Sequence, residues 1–302
     1  MRTNLRPLWA TSLVGLAAAW DLAVGLPLSQ TVRMTPPTRP ADPPSRRTLA
    51  REARQQAIVS HVVAHGVASV AELTELTGAS VMTVHRDLDE LARRGVVRKF
   101  HGGVSAQPST VFESSSEYRV RVQVKEKEAL AAAALGMIEP GMSIMLDTST
   151  TNLFLARRLG DLRLGPLTVV TNYLPIMQVL KTMPDIHLIG VGGDYNSTHD
   201  AFLGMSAIEA IGALTTDIVF LSTSAMTTST TYHQEPDIVT VKRAMMAAGR
   251  RRVLLMDPTK LNRTALHRLA PTSDFNVVVV NSAAGDRMMA DLREHTIVVP
   301  AA

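Results

Sequence analysis

The chain has 302 residues, a formal net charge of +4 and no cysteine. This length allows two domains, and the lack of cysteine excludes disulfide bonds, thiolate nucleophiles and thiolate metal sites. The nine histidines are scattered, so no metal site is predicted. Residues 46–104 contain nine Lys or Arg against six Asp or Glu, whereas residues 105–302 contain eighteen against nineteen. A local excess of cations favours contact with nucleic-acid phosphates.

Residues 1–45 form a leader of unusual composition. The run 8–28 is apolar and follows two arginines, as in a signal or anchor segment. Asp21 interrupts this run, and a charge in mid-helix is costly in a bilayer. Met34 opens a Pro-rich, polar stretch that leads into the first predicted helix. We therefore interpret residues 1–45 as a disordered or wrongly assigned leader with its natural start at Met34; a membrane tether is the alternative.

Residues 46–104 show the pattern of a winged helix-turn-helix domain. Ile58 and Val62 lie four residues apart, which places them on one face of a first helix. A short second helix is predicted over residues 68–76. Gly78 follows it and can adopt the positive φ that closes the turn between two helices.

A third helix is predicted from a cap at Ser80 to about Arg94. Its apolar side chains recur at steps of three and four residues, which predicts a buried stripe. These side chains are Val81, Val84, Leu88 and Leu91. Arg86 lies almost opposite the stripe, near the beginning of the helix. An arginine so placed can pair with guanine O6 and N7 in the major groove of DNA.

Residues 95–104 are predicted to form a two-stranded wing. Its cations are candidates for phosphate contacts, which position a protein on DNA without specifying sequence. Packing is an alternative role for His85, which flanks the apolar stripe. The predicted base-contacting residues are Met82, Thr83 and Arg86. The predicted phosphate-contacting residues are Ser80, His85, Arg98, Lys99 and His101.

These residues form one long gapped pattern. It consists of Arg54-x3-Ile58-x3-Val62, then Ser80-x2-Thr83-Val84-His85-Arg86-Asp87-Leu88, then Arg98-x2-His101-Gly102-Gly103. The pattern resembles that of the DeoR/GlpR family of bacterial sugar-responsive transcriptional regulators. The resemblance implies a DNA-binding module; a helix-turn-helix used only for protein docking is the alternative.

The rest of the chain is organised differently. Residues 105–125 lack a core pattern and contain Pro and Ser clusters, so we predict a linker there. From residue 126 to 302, apolar runs alternate with helical stretches, as in a parallel sheet covered by helices on both faces. The predicted strands are 143–146, 167–170, 186–191, 217–221, 252–256 and 276–280. The predicted helices are 129–137, 152–159, 173–181, 205–214 and 236–248.

Small hydroxyl-bearing residues, glycines and charged groups follow these strands, at the edge where parallel sheets bind ligands. A hydroxyl-rich loop at a helix N-terminus suits an anion, because free backbone N–H groups point outwards from it. Lys260 can add a compensating charge. The predicted ligand is therefore a phosphorylated, hydroxyl-rich small molecule. The candidate ligand-binding residues are Asp147, Ser149, Thr150, Thr171, Asn172, Gly192, Gly193, Lys242, Asp257 and Lys260.

Several of these residues also have a purely structural interpretation. Ser149 and Thr150 are typical helix caps. Asp257 can order its own loop by accepting backbone N–H bonds, and a solvated face is the default for Lys242 on a helix. A ligand site is favoured because several strand ends have residues that can bind the same kind of ligand, although no single position is decisive.

The second half resembles the sensor domain of the same family, from about residue 127 to 280. The matching pieces are Leu146-Asp147 with Thr150-Thr151, Val170-Thr171-Asn172, Gly192-Gly193, Gly204, Val241-Lys242-Arg243-Ala244-Met245 and Asp257-x2-Lys260. The resemblance implies a fold like that of ribose-5-phosphate isomerase and a sugar phosphate that relieves repression. Ser149 stands where the family commonly has glycine, and residues 227–234 replace a Gly-rich segment. Both departures bear on the identity of the ligand.

A sugar-phosphate isomerase is the alternative from another class. Such an enzyme needs a general base, commonly a carboxylate, beside the carbon acid. The available carboxylates are Asp147, Glu235, Asp237 and Asp257. They form no recognisable pair in the sequence, and a DNA-binding module has no use in that chemistry. A nucleotide-binding Rossmann domain is weaker still, because no G-x-G-x-x-G follows the first strand.

The sequence thus predicts a cytoplasmic transcriptional regulator without a cofactor, and the family resemblance implies that it is a repressor. A winged helix-turn-helix domain binds double-stranded operator DNA, and an α/β sensor domain binds a phosphorylated sugar that releases it. We expect a homo-oligomer, a dimer or a tetramer, because symmetric operators suit paired modules. No membrane partner is expected.

Overall fold

The computed structural model describes residues 46–106, 109, 111–161 and 165–302. The predicted leader, with its start at Met34, lies outside the described residues. Ser45–Ala302 forms one compact unit, which contains both predicted modules. Within the described ranges, no helix is long and apolar enough to cross a membrane.

The N-terminal module has the predicted succession of helices and strands. Its elements are α1 (Arg46–His65), β1 (Val67–Ser69), α2 (Val70–Thr77), α3 (Val81–Arg93), β2 (Arg98–Phe100) and β3 (Gly103–Ser105). The strands pair antiparallel in the order β1-β3-β2. The wing, predicted with two strands, therefore gains a third one from the short segment between α1 and α2.

Local capping fixes the turn of this module. Ser69 and Glu72 form a reciprocal capping box at the start of α2. Gly78 ends α2 in the left-handed region, with φ of 61°. Ser80 then caps α3, because its hydroxyl accepts the Thr83 backbone N–H at 3.3 Å. The predicted roles of Gly78 and Ser80 in the turn are confirmed.

The predicted apolar stripe of α3 is buried except at its first residue. Val84, Leu88 and Leu91 are fully buried against Ile58 and other residues of the module core. The prediction is wrong for Val81, which is 53% exposed. Val81 is the first residue of the helix, and helical side chains tilt towards the N-terminus, so it points beyond the packed turns.

The interval 105–125, predicted as a linker, contains structure of its own. A short helix, α4 (Ser116–Arg119), lies within it, and α5 (Val124–Leu135) begins at its end. Ser114, Ser115 and Ser116 are buried. Polar side chains without apolar periodicity give no sign of burial in the sequence, which explains why this packing was not predicted.

The second module alternates strands and helices. Up to α8 its further elements are β4 (Ser143–Leu146), α6 (Thr150–Asp161), β5 (Leu167–Thr171), α7 (Leu174–Leu180), β6 (Ile186–Gly190), β7 (Asp194–Asn196), β8 (Ala201–Leu203) and α8 (Gly204–Gly212). The remaining ones are β9 (Thr216–Leu221), β10 (Ala225–Met226), β11 (Thr230–His233), α9 (Pro236–Ala248), β12 (Gly249–Met256), β13 (His267–Pro271), β14 (Val277–Asn281), α10 (Asp286–Arg293) and β15 (Ile297–Ala301).

The predicted parallel sheet with helices on both faces is confirmed. Among the described residues it has seven strands in the order β15-β14-β12-β9-β4-β5-β6, all parallel. Successive strand residues point to opposite faces. Ile144 and Leu146 pack with α5, α6 and α7, whereas Met145 packs with α8, α9 and α10. Burial on both faces explains why the strands are almost continuously apolar.

The structure adds elements that the sequence analysis did not predict. β15 lies at the edge of the main sheet and contains Pro300. Proline normally argues against a strand but is tolerated at a sheet edge, where one side needs no backbone donor. A small antiparallel sheet, β10-β11-β13, is built from residues that follow β9 and β12. It brings the end of β11 towards the carboxyl ends of the main strands.

Candidate functional site

The N-terminal half of α3 presents an accessible polar surface. Met82 is 64% exposed, and His85 and Arg86 are exposed as well. Ser80 and Thr83 are partly occupied by the cap, since their hydroxyl oxygens lie 2.9 Å apart. Arg86 forms no ion pair with any described residue and lies on the face that the sequence predicted for base contact.

A buried carboxylate fixes the rotation of α3. Asp87 accepts hydrogen bonds from Arg54 Nε at 2.5 Å and from Gln55 Nε2 at 3.1 Å, and thereby ties α3 to α1. Because Arg86 is adjacent to Asp87 in the helix, this anchor directs Arg86 outwards. Arg54 and Asp87 both belong to the family-like sequence pattern, but their spacing in the sequence gives no sign that they form a pair.

The wing presents the predicted cations to solvent. Arg98, Lys99 and His101 are all exposed. Lys99 Nζ donates to Asp89 Oδ1 at 2.5 Å, and this hydrogen bond lowers the pKa of Asp89. Exposed ion pairs are weak, so a DNA phosphate can replace Asp89 as the partner of Lys99 at little cost.

In the second module, Asp147 and Lys242 form a buried ion pair. Their side chains are 0% and 3% exposed. Asp147 also accepts the Ser222 backbone N–H at 3.0 Å and the Asn152 side-chain amide at 2.8 Å. Lys242 donates further to the Ser222 backbone carbonyl at 2.8 Å. The solvated face that is the default for a helical lysine is therefore wrong for Lys242, which joins α9 to the ends of β4 and β9.

Asp257 and Lys260 follow the end of β12. Asp257 accepts hydrogen bonds from the backbone N–H and the hydroxyl of Thr259. Lys260 Nζ lies 3.3 Å from Asp257 Oδ2 and 3.2 Å from the Ser222 hydroxyl oxygen. Burial raises the pKa of Asp257, but Lys260 and Thr259 lower it more, so its net pKa lies below the ordinary value. The loop thus holds an ionised carboxylate and a partly exposed ammonium group.

The loop after β4 caps α6 and also contains polar atoms without partners. Ser149 accepts the Asn152 backbone N–H at 3.2 Å, so Ser149 does cap the helix. Several buried oxygens of the surrounding loops, all within the described residues, have no hydrogen-bond partner. They belong to Thr148, Thr151, Asn152, Ser224 and Gln234. Unpaired buried oxygens are costly, and a hydroxyl-rich ligand would supply partners to those it reaches.

The remaining predicted ligand residues lie at the ends of β5 and β6. Thr171 accepts the Tyr173 backbone N–H at 3.1 Å, and Asn172 donates to the Phe202 carbonyl at 2.8 Å. Gly193 has φ of 148°, and a Cβ there would lie 2.4 Å from the Leu203 carbonyl oxygen. In the described part of the chain these contacts hold β8, and none of Thr171, Asn172, Gly192 and Gly193 lines the two cavities described next.

Two cavities meet beside the loops after β4, β9 and β12. The larger has a volume of about 560 Å3 and reaches from Thr150 and Lys260 to Gly66 at the end of α1. The smaller lies above Ser149 and Lys242. Both cavities share four lining residues, which mark where they meet. These residues are Glu113, Arg119, Ser224 and Lys260.

A cluster of basic residues surrounds this junction, and the sequence analysis missed part of it. Arg119 and Lys127 come from the interval before and within α5, and they accompany Lys242 and Lys260. Burial and the nearby Lys260 lower the pKa of Lys127 to about 7. Neighbouring cations repel one another, and the positive potential that they create favours the binding of an anion. Arg119 was missed because it lies in the predicted linker. Lys127 was missed because several charged residues stand together at the start of α5 and nothing in the sequence distinguishes it from the others.

Two histidines also reach the cavity from unpredicted elements. His199 lies between β7 and β8, and its Nε2 is 2.7 Å from Glu235 Oε1. His233 ends β11, and its Nδ1 accepts the Glu235 backbone N–H at 3.1 Å. Because Nδ1 of His233 accepts, its proton resides on Nε2. Burial, followed by the positive charge of Lys242, holds the pKa of His233 well below its usual value. His233 is thus a neutral donor within the cavity.

The low pKa of His233 predicts a loss of stability in acid. Below pH 6.5 the unfolded chain protonates this residue and the folded chain does not, so stability falls as the pH decreases, by up to about 1.4 kcal/mol per pH unit from this group. We expect His233→Gln to flatten the pH dependence of unfolding between pH 6.5 and 5, measured by urea titration. His187→Gln, at an exposed position on β6, should retain the wild-type slope. An unchanged slope in His233→Gln would contradict the assignment.

In the described part of the chain, no group of three or more acidic residues, histidines or cysteines is placed to hold a metal ion. His61 and His65 have the four-residue spacing of two ligands on one helix, but their rings stack at 4.2 Å between centroids. Two of the four residues at the cavity junction, Arg119 and Lys260, are cations, which suit an anion instead.

Two family descriptions match this chain. The DeoR-like helix-turn-helix domain matches residues 54–110, and the DeoR C-terminal sensor domain matches residues 122–282. An uncharacterised helix-turn-helix transcriptional regulator of Escherichia coli, YgbI, is 32% identical over 76% of this chain and 89% of its own length. The transcriptional repressor AccR of Agrobacterium fabrum is 30% identical over the same shares.

A third relative is the glycerol-3-phosphate regulon repressor of Escherichia coli, 28% identical over 81% of this chain and 96% of its own length. Among solved structures, a ribose-5-phosphate isomerase in complex with phospho-erythronic acid is similar with a TM-score of 0.35 and 15% identity. That similarity covers 46% of this chain and 54% of the isomerase.

Proposed function

The chain belongs to the DeoR family of helix-turn-helix transcriptional regulators, and on this premise we propose that it represses sugar-metabolism genes until a phosphorylated sugar binds its second module. The proposal assigns base contact to Met82, Thr83 and Arg86 on α3. DNA phosphates are contacted by Ser80, which caps α3, by His85 on α3 and by Arg98, Lys99 and His101 on the wing. The sugar phosphate binds beside the loops after β4, β9 and β12.

One observation carries the effector assignment. Lys260 lies where the two cavities meet, is partly exposed, and has Arg119 as a further cation on the cavity wall. Arginine and lysine are the usual ligands of a phosphate group. The neighbouring loops supply hydroxyl and amide oxygens without partners, which match the hydroxyl groups of a sugar. A phosphorylated sugar satisfies both kinds of group at once.

The predicted ligand residues at the ends of β5 and β6 are proposed to have a structural role. Asn172 and Gly193 contact the backbone of β8, the strand that follows His199, and Thr171 and Gly192 are their neighbours in the sequence. We propose that they shape the site without contacting the phosphate. Asp147 and Lys242 support the cavity floor in the same way, because their charges already neutralise each other.

The contacts of the buried carboxylates argue against the alternative of a sugar-phosphate isomerase. An isomerase needs a carboxylate that is free to remove a proton from carbon. Asp147 accepts hydrogen bonds at both oxygens, and Asp257 is held by Thr259 and Lys260. We therefore propose a sensor without catalytic activity. Turnover of ribose 5-phosphate by the purified protein, abolished in Glu235→Gln, would contradict this proposal.

Operator recognition is proposed to require a homo-oligomer, a dimer or a tetramer. A single winged helix contacts few base pairs, and two-fold operators match paired modules. A regulator of this type acts on DNA in the cytoplasm, where we place it. Binding of the effector then favours an arrangement in which the paired modules no longer match the operator spacing.

The direct test is binding of the full chain to the DNA upstream of its own gene. Fluorescence anisotropy is measured with and without a panel of phosphorylated three- to six-carbon sugars. The same sugars without phosphate are the controls. Specific binding that one sugar phosphate weakens, typically by about 5–150-fold for a coupling of 1–3 kcal/mol, is the expected result. Specific binding that no panel member alters would remove the sensor assignment and leave the DNA-binding assignment intact.

Lys260→Ala is expected to leave operator affinity near the wild-type value and to blunt release by sugar phosphate. Removing one charge-assisted hydrogen bond should weaken effector binding by about tenfold or more. The measurement is the sugar-phosphate concentration that half-releases the operator. Lys181→Ala, which removes an exposed cation after α7, is the matched control. Release of Lys260→Ala at the wild-type concentration would exclude Lys260 from the site.

A further inference from the structure

A segment between the two family-matched regions connects the DNA-binding module to the cavity. We call residues 113–121 the bridging segment. They fall between the matched regions 54–110 and 122–282, so neither family description covers them. Most of the segment is nevertheless packed rather than exposed. Its contacts run in both directions, towards the wing and towards the sensor loops.

Towards the DNA-binding module, the bridging segment contacts the end of α3 and the end of the wing. The Ser115 backbone N–H donates to the Gly95 carbonyl at 2.9 Å. The Ser114 hydroxyl donates to the Ala106 carbonyl, also at 2.9 Å. Glu117 accepts a hydrogen bond from Arg94 at 2.7 Å. These contacts fix the position of the module through residues directly adjacent to α3 and β3.

Towards the sensor loops, the central residue is Arg119. Its Nε donates to the Ser114 backbone carbonyl at 3.0 Å, and its Nη2 lies 3.1 Å from His199 Nδ1. His199 Nε2 in turn contacts Glu235, as described above. With Nε2 donating to that carboxylate, Nδ1 of His199 accepts from the guanidinium. Both close partners of Arg119 are therefore neutral acceptors.

The charge of Arg119 is therefore only partly neutralised, because its two hydrogen-bond partners are uncharged and its carboxylate partner is more distant. Among the described residues, the carboxylate that forms an ion pair with it is Glu113, at 3.9 Å. Arg119 also lines both cavities and shares their junction with Lys260. Nε and Nη2 form one edge of the guanidinium, the edge with which arginine grips a phosphate in bidentate fashion. In this structure Ser114 and His199 occupy that edge.

We propose that Arg119 binds the phosphate of the effector and thereby controls the hold of the bridging segment on the DNA-binding module. The inference rests on the proposed sugar-phosphate function and names its regulation. A phosphate that takes the Nε–Nη2 edge replaces Ser114 and His199 as acceptors. The Ser114 carbonyl then loses its donor, and the hydrogen bonds of Ser114 and Ser115 to Ala106 and Gly95 loosen. Effector binding thereby releases the DNA-binding module from the position in which it binds the operator.

The Ser115 amide reports on this contact directly, because it is the donor to Gly95. We expect inorganic phosphate, added to the full chain at constant ionic strength, to accelerate hydrogen exchange at Ser115 severalfold. Phosphate binding is measured in parallel by 31P NMR titration. In Arg119→Gln, Ser115 should exchange rapidly without phosphate, phosphate should have no further effect, and phosphate affinity should fall about tenfold or more.

Two further variants make the test specific. Lys125→Gln removes the same charge from an exposed position on α5 and should behave as the wild type. Arg119→Lys retains the charge without the planar fork; it should bind phosphate more weakly than the wild type, and its Ser115 exchange should not respond. If Arg119→Gln fails to fold, as judged by circular dichroism, Arg119→Lys decides the question.

The outcomes separate the two proposals. Wild-type phosphate affinity in the Arg119 variants would overturn the role of Arg119 and leave the sugar-phosphate function standing. Phosphate binding to the wild type without any change in Ser115 exchange would overturn the coupling. No phosphate binding to the wild type would remove the anion site itself, and with it the premise of both proposals.

Discussion

Lys242→Met is expected to lower the free energy of unfolding by about 3–5 kcal/mol at neutral pH, the usual cost of leaving one partner of a buried ion pair alone. Methionine fills a similar volume but leaves the buried Asp147 carboxylate without its cation. Asn152 and the Ser222 backbone would then be its remaining donors among the described residues. Urea unfolding followed by circular dichroism measures the loss.

The double variant Asp147→Asn with Lys242→Met tests the reason for this loss. With both charges removed, we expect much of the lost stability to return, because no buried charge is left uncompensated. Lys181→Met, at an exposed position, should change stability by less than about 0.5 kcal/mol. A loss of that small size in Lys242→Met would mean that the pair is hydrated and contributes little.

Arg86→Ala is expected to reduce discrimination between operator and scrambled DNA by about 1–3 kcal/mol, the contribution of one good bidentate contact to a base. The exposed face of α3 and the Asp87 anchor beside it direct Arg86 towards the DNA. Affinities for both duplexes are measured by fluorescence anisotropy at one fixed salt concentration, since phosphate contacts make each affinity depend on salt.

Arg93→Ala is the matched control for this prediction. Arg93 lies in the last turn of the same helix and is largely exposed. Its removal takes one positive charge from α3 without touching the predicted base-contacting end, so both duplexes should lose affinity about equally. An equal loss on both duplexes in Arg86→Ala would reassign Arg86 to a phosphate.

The main-sheet strands and the turn between α2 and α3 could be predicted from the sequence, because apolar periodicity and characteristic turn residues indicate them. Each predicted strand of the second module lies in the main sheet, because strands buried on both faces must be apolar along their whole length. Gly78 and Ser80 were recognised because a left-handed turn and a helix cap each demand particular residue types. β15 was missed because Pro300 breaks the strand pattern and only the edge position makes it acceptable.

The candidate site was predicted less completely, for a related reason. Lys260 and Asp257 stand next to a predicted strand end and were found by position. The partnership of Asp147 with Lys242 joins residues 95 positions apart, and no local pattern records it. Arg119 and His199 lie in polar stretches without periodicity. Their packing depends on hydrogen bonds to distant backbone groups, which a single sequence does not reveal.

The small antiparallel sheet has a consequence for how such regulators diverge. β11 pairs with β13 along the backbone and through the buried Thr231 hydroxyl, which bonds to the Ala270 backbone. Its last residue, His233, lines the cavity. Under the proposed function, a substitution at this strand end would alter which nutrient is sensed and leave the apolar residues of the main sheet unchanged. By the same proposal, such a regulator would acquire a new effector through changes in one short hairpin, with the main sheet and the DNA-binding module unchanged.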